Sequence, residues 1–238
     1  MSDLSIETAI VVDPAMNEPL LTDVAGRGGV IVTNGRISED YKTAFPAATF
    51  GVVDHDVSAI VDLGIGHAKA AGYEYPALLT ARSEASYVED TVQAFDRWFS
   101  ENQRSRMIGQ FARGNVASAL RAATELLGGS VRPDLIYTTN EEGVFGSLQA
   151  ARMLGLKIPN DLGVIATMET QILANLHPAV TTIDLKPDAI GRRAVELAIH
   201  LTRKSTSPAP SGYVDFELNA RESTARTFVD ISAAPARR

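Results

Sequence analysis

Three short stretches hold the residue types from which a site could be built. "YTTNEEG" (Tyr137–Gly143) carries a β-favouring run into Asn140, Glu141 and Glu142 just before a helix begins. Those polar groups could hydrogen-bond a ligand. They could also merely cap the helix: Thr139 or Asn140 offers a side-chain oxygen to the free N–H groups, and the glutamates suit the positive helix start. "VDHD" (Val53–Asp56) places Asp54 and Asp56 on one strand face around His55, a set that suggests metal binding or acid–base work. No second His or carboxylate cluster is tied to it by sequence, so it reads as a loop-capping element. "GIGHAKAAG" (Gly64–Gly72) imitates a dinucleotide loop, but Lys69 stands where the third glycine belongs and the stretch lies inside a helical pattern.

No Gly-x-Ser-x-Gly elbow, P-loop or paired catalytic carboxylates occur. With no cysteine, thiolate metal sites, cysteine nucleophiles and disulfides are excluded. The sequence therefore assigns no catalytic residue, no metal site and no cofactor, and the chain is expected not to be an enzyme.

The elements that must position these residues alternate. Strands are expected at "TAIVV", "GVIVTN", "TFGVV", "PALLTA", "MIGQF", "DLIYTT" and "LGVIATM". Helical spacing separates most of them, as in "VEDTVQAFDRWFSENQ", which turns Phe95, Trp98 or Phe99 inward, and "NVASALRAATELLGG", which two glycines close. A longer polar loop is expected after "GVIVTN", and "YVDFELNA" alternates like a strand. Strand–helix repetition with apolar strands implies an α/β fold of doubly wound parallel sheets covered on both faces. In such sheets ligands bind at the carboxyl ends of strands.

The chain has 238 residues, a net charge of −7 and 45% hydrophobic residues, an ordinary globular balance. Nucleic-acid binding by these residues is disfavoured, because phosphate contacts need concentrated Lys and Arg. The first residues show no basic n-region, and no stretch approaches the roughly 18 apolar residues of a membrane span. A cytoplasmic protein is expected.

Five motifs in order carry a resemblance: Asn140-Glu141 after a strand; Gly155-Leu156-Lys157-Ile158-Pro159-Asn160-Asp161; Pro178-Ala179-Val180-Thr181-Thr182; Gly191-Arg192-Arg193-Ala194; and Arg221-Glu222-Ser223-Thr224. Their order and spacing resemble the effector-binding core of the lactose-repressor/galactose-repressor (LacI/GalR) family, over roughly Ile6 to Phe228. The resemblance implies two subdomains of periplasmic-binding-protein type: 1–55 plus 185–210, incomplete, and 56–184 plus 211–228, followed by a disordered tail at 229–238. It also implies a small-molecule effector, sugar-like or other, in the cleft between subdomains, a homodimer, and a headpiece that contacts operator DNA.

The resemblance puts Asn140, Phe111, Thr91, Met168, His55 and Asn34 at the ligand, with Phe111 as an aromatic platform. Phe145 and Leu176 fall at dimer positions. Two departures stand out. Thr91 and Met168 replace the arginine and aspartate that usually clamp sugar hydroxyls, and Glu169 follows Met168. The headpiece and the first strand–helix units have no counterpart, so DNA binding by this chain is not expected and an apolar strand edge should be left open unless something covers it. A stand-alone small-molecule-binding protein is the alternative reading.

Overall fold

The computed structural model describes residues 6–12, 19–206, 208–209 and 212–226; the tail expected at 229–238 lies outside them. In chain order the first elements are β1 (Thr8–Val12), α1 (Pro19–Gly26), β2 (Val30–Asn34), α2 (Glu39–Ala44), β3 (Thr49–Val52), α3 (Val57–Ala70), β4 (Pro76–Arg82) and α4 (Ser86–Glu101). Next come β5 (Ile108–Ala112), α5 (Val116–Leu127), β6 (Leu135–Thr138), α6 (Glu141–Met153), β7 (Gly163–Ala166), α7 (Gln171–Ala174), β8 (Thr181–Asp184), α8 (Pro187–Thr202) and β9 (Glu217–Asn219). A 3-10 turn follows at Glu222–Thr224.

The chain divides into two compact units: Met1–Asp62, Arg82–Gln103 and Asp184–Glu217 form the first, and Leu63–Ala81, Arg104–Ile183 and Leu218–Arg238 the second. The sequence reading divides the chain at other points, and 56–62 and 82–103 fall in the first unit. Side-chain bonds account for this: Arg36 on the loop after β2 pairs with Glu89 and Asp90 of α4, and its N–H donates to Ser86 Oγ. Arg97 of α4 donates to Ser58 and pairs with Asp62.

In the first unit β1, β2 and β3 are parallel neighbours in that order. Val30 and Val32 pack with Ile190, Ala194, Leu197 and Ala198 of α8, while Ile31 packs with Leu21, Val24 and Ala25 of α1. β2 is thus covered on both faces, as its unbroken Val-Ile-Val run requires. Gly51 of β3 leaves room for α8: a Cβ there would come within 2.8 Å of Leu201 and 2.9 Å of Leu197. β1 is the sheet edge, and Ile10 and Val12 on it are 45% and 69% exposed. The expected polar loop after β2 contains α2, whose start is fixed by Ser38 accepting from the Tyr41 N–H, with Glu39 and Asp40 in the first turn. The "YVDFELNA" alternation yields only the three residues of β9 and a single bridge from Tyr213 to Asp54.

The sheet of the second unit runs β5-β4-β6-β7-β8-β9, with β4, β6, β7 and β8 parallel. All four residues of β6 are buried, and so are those of β7. Burying one Leu or Ile side chain there contributes about 1.5–3 kcal/mol. α5 and α6 cover one face, where Leu79, Phe111, Ala119, Ala123, Ile136 and Ala150 share a core. Gly146 lets those helices approach, since a Cβ would meet the Ala119–Leu120 backbone at 2.7 Å. Gly64 of α3 lies over Tyr137, whose ring a Cβ would reach at 2.5 Å. The first glycine of the dinucleotide-like stretch is therefore a packing glycine inside a helix. Gly72, at φ +80°, stands just past the end of α3.

The "RxST" motif closes this unit. Arg221 Nη2 donates to both carboxylate oxygens of Glu169 at 2.9 Å, while Nη1 donates to Thr182 Oγ1 and the Val180 carbonyl. Glu222 accepts from the Ala179 N–H, and Ser223 Oγ accepts from the Thr181 N–H while donating to the Val164 carbonyl. Thr224 Oγ1 lies 2.6 Å from Thr181 Oγ1 and 2.8 Å from His67 Nε2. Burial lowers the His67 pKa from its ordinary 6.5. A depressed folded pKa means that the unfolded chain binds the proton more readily. The stability contribution is then present above pH 6.5 and is lost as pH falls through the folded pKa. The wild-type melting temperature is expected to drop between pH 7.5 and 5.5 by more than that of His67→Gln; equal drops in the two proteins would remove His67 as the cause.

Candidate functional site

Two places in the fold collect polar side chains at the carboxyl ends of parallel strands, one in each unit. In the second unit β5 lies on one side of β4 and β6 on the other, so the chain order reverses between β4 and β6. A crevice outside the strand ends is expected at such a point. Thr80 of β4 and Thr139, just after β6, meet there with hydroxyls 2.9 Å apart, and Thr139 donates to Asn140 Oδ1 at 3.2 Å. The hydroxyl pair fixes the carboxamide from behind. Asn140 occupies the N-cap position of α6 without any side-chain capping bond; the Gly143 and Val144 N–H groups go to its backbone carbonyl instead. Gly143 permits the abrupt strand-to-helix turn, because a Cβ would fall 1.8 Å from Thr138 Oγ1.

The other residues expected around a ligand in this unit are differently placed. Phe111 is 1% exposed and belongs to the core beneath α5, which gives its ring to packing rather than to a stacking platform. Met168 packs partly against Val144, Val164 and Leu173. Glu169 is engaged by Arg221, Asn219 and Thr182. Burial opposes its ionisation most strongly, yet the hydrogen bonds from Thr182, Arg221 and Asn219, with the Arg221 charge, together hold the carboxyl below its ordinary range.

In the first unit an open cleft of about 630 Å³ lies against the ends of β2 and β3, the first turn of α3 and the middle of α4. All of its lining residues belong to that unit, and the polar ones include Arg36, Asp54, His55, Asp56, Asp90 and Arg97. His55 is 9% exposed, and its Nε2 lies 2.7 Å from the Leu185 carbonyl. A carbonyl can only accept, so Nε2 carries the hydrogen, and a neutral ring presents Nδ1 as an acceptor. Asp54 Oδ1 accepts from the His55 N–H at 2.8 Å, and Asp56 Oδ1 from the Ala59 N–H at 3.0 Å, the loop-capping role read for "VDHD". Desolvation raises the pKa of Asp54 and of Asp90, against the opposing effects of the His55 N–H on Asp54 and of the Arg36 guanidinium on both. Among the described residues no group of three or more His, Cys, Asp or Glu is arranged to hold a metal ion.

Of the six residues expected at a ligand, His55 alone lines this cleft. Asn34 donates to the Val53 carbonyl at 3.0 Å, which ties β2 to β3. Thr91 is 4% exposed and returns its hydroxyl to the Tyr87 carbonyl within α4. Arg36, Asp90, Arg97 and Tyr213 were missed as lining residues. They come from three separated segments, and the ion pair that joins Arg36 to Asp90 leaves no local pattern. Asn140→Ala is expected to change stability by less than about 0.5 kcal/mol, because Thr139 keeps Thr80 as its hydrogen-bond partner. An Asn that capped α6 through its side chain would cost about 1 kcal/mol. Urea denaturation of the two proteins distinguishes the cases, and a loss of the larger size would assign Asn140 to the helix.

Residues 65–224 match the family profile of the periplasmic binding protein-like domain. The lactose operon repressor of Rhizobium radiobacter is 34% identical over 77 residues, 32% of this chain and 68% of that protein. The ribose operon repressor of Escherichia coli (strain K12) is 29% identical over 85 residues, 36% of this chain but only 26% of the repressor. A crystal structure of a LacI-family regulatory protein from Chloroflexus aggregans superposes with a TM-score of 0.78 at 21% identity, covering 92% of this chain and 76% of that one. Among the described residues no helix is long and apolar enough to cross a membrane. The profile spans more than half of the chain, and the chain belongs to the periplasmic binding protein-like domain family, with a core of the LacI/GalR regulator type.

Proposed function

We propose that this chain is the effector-sensing and dimerisation core of a LacI/GalR-type transcription regulator. The observation that carries the reading is the open cleft of about 630 Å³ at the carboxyl ends of β2 and β3, in a chain whose relatives include named operon repressors. A cleft of that size suits a small molecule, sugar-like or otherwise. Regulation requires the effector to bind two conformations of the protein with different affinity, not merely to bind tightly. Operator contact is assigned to a headpiece of the kind the family implies. A net charge of −7 over these 238 residues supports placing it elsewhere than here.

The test is a thermal-shift screen of sugars, sugar phosphates and nucleosides against the purified chain. A true effector at a hundred times its Kd stabilises the native state by about 2.7 kcal/mol. Its shift is expected to shrink in His55→Gln. A hit whose affinity is the same in both proteins lies outside the cleft.

The dimer is proposed through α6 and the segment after α7. Phe145 and Leu176 are each half-buried there, and Ile172 on α7 is 55% exposed. Single exposed apolar residues are common, and a second copy is proposed to cover these. Sedimentation should show a dimer that Phe145→Glu converts to monomer. A wild-type chain that stays monomeric at micromolar concentration ends this part of the proposal.

A further inference from the structure

The cleft of the first unit has an uneven supply of hydrogen-bonding groups, which limits what it can hold. Its cationic side chains are already paired. Arg36 gives Nη1 to Asp90 at 2.6 Å and Nη2 to Glu89 at 3.0 Å. Arg97 gives Nη2 to Ser58 at 2.7 Å and to Asp62 at 3.2 Å, and Gln93 gives Nε2 to Glu89 at 3.3 Å. Both guanidinium charges are met by carboxylates of the same unit. The carboxylates and the histidine keep acceptors to spare. Asp54 and Asp56 each use one carboxylate oxygen on a backbone N–H, and His55, nine-tenths buried, uses only Nε2.

Three carboxylates line the cleft against two paired arginines. A phosphate or carboxylate ligand would find no unpaired cation there and would face Asp54 at close range. Burying an anion without a partner is strongly unfavourable. A neutral polyol could use the acceptors but would leave the Asp54 charge uncompensated. An ammonium group answers both needs, since it donates up to three hydrogen bonds and neutralises a carboxylate that burial partly desolvates. Tyr213, 70% exposed on the rim, adds an aromatic surface of the kind that favours cations.

We propose that this cleft takes a small organic cation, with its ammonium on Asp54 and a hydrogen bond to His55 Nδ1. The inference rests on the effector reading and names the chemical class of the effector. It is tested on the whole chain at pH 7 by calorimetric titration and thermal shift, with glucosamine, glucose and glucose 6-phosphate as probes matched in size and differing in charge. Spermidine and agmatine extend the amine set. At least one amine is expected to bind saturably and to lose affinity at raised salt, while glucose and glucose 6-phosphate bind tenfold more weakly or not at all. Asp54→Asn should fold normally, because the carboxamide oxygen still accepts from the His55 N–H, and should weaken the amine at least tenfold.

Binding of glucose or glucose 6-phosphate as tight as that of every amine overturns the charge assignment and leaves the effector reading intact. Undiminished amine binding by Asp54→Asn overturns the placement. If the thermal-shift panel of sugars, sugar phosphates and nucleosides succeeds while every amine fails, the cation inference alone falls. If no compound of any charge binds, both fall.

Discussion

A parallel strand covered on both faces cannot carry polar side chains along its length without leaving them unpaired. That constraint shapes both units of this protein. β2, β6 and β7 are apolar and buried almost throughout, and the chemistry is displaced to their carboxyl ends. Asn140, Asp54, His55 and Arg36 all stand one to four residues past the end of a strand or on the loop that follows it. The polar groups are where they are because the sheet has no other place for them.

The second unit applies the same rule to its final segment. Its last described segment lies beside β8 without a long strand to hold it, since β9 has three residues. Arg221, Glu222, Ser223 and Thr224 supply the missing bonds through side chains, each with a named partner on β7, β8, α3 or the segments flanking them. Charge-assisted and buried hydrogen bonds are costly to leave half-made, so the four residues act as a set. This also explains Glu169. A carboxylate next to Met168 would suit a ligand clamp, yet Arg221 and Thr182 already occupy it.

Much of the fold was legible in the residues. The apolar runs located the strands from β1 to β7, and glycines marked the ends of α3 and α5. The missed α2 was signalled by Ser38 with Glu39 and Asp40, but its six residues are too few for a clear 3.6-residue period. The alternation of "YVDFELNA" misled because alternating pattern does not ensure a neighbouring strand to pair with. The domain boundary differed because α4 is held by Arg36 and Arg97, and ion pairs between distant segments have no signature in sequence.

The candidate site divides in the same way. By itself the sequence determined the fold class, the family resemblance, and which polar residues follow which strands, because these depend on local pattern and order along the chain. Only the tertiary structure decided that Asn140 is not a side-chain cap, that Phe111 belongs to the core, and that Thr91 bonds its own helix. It also decided that both arginines of the cleft are already paired with carboxylates. Such answers depend on what lies within hydrogen-bonding distance across long separations, as between Arg36 and Asp90, and that distance is set by packing rather than by order.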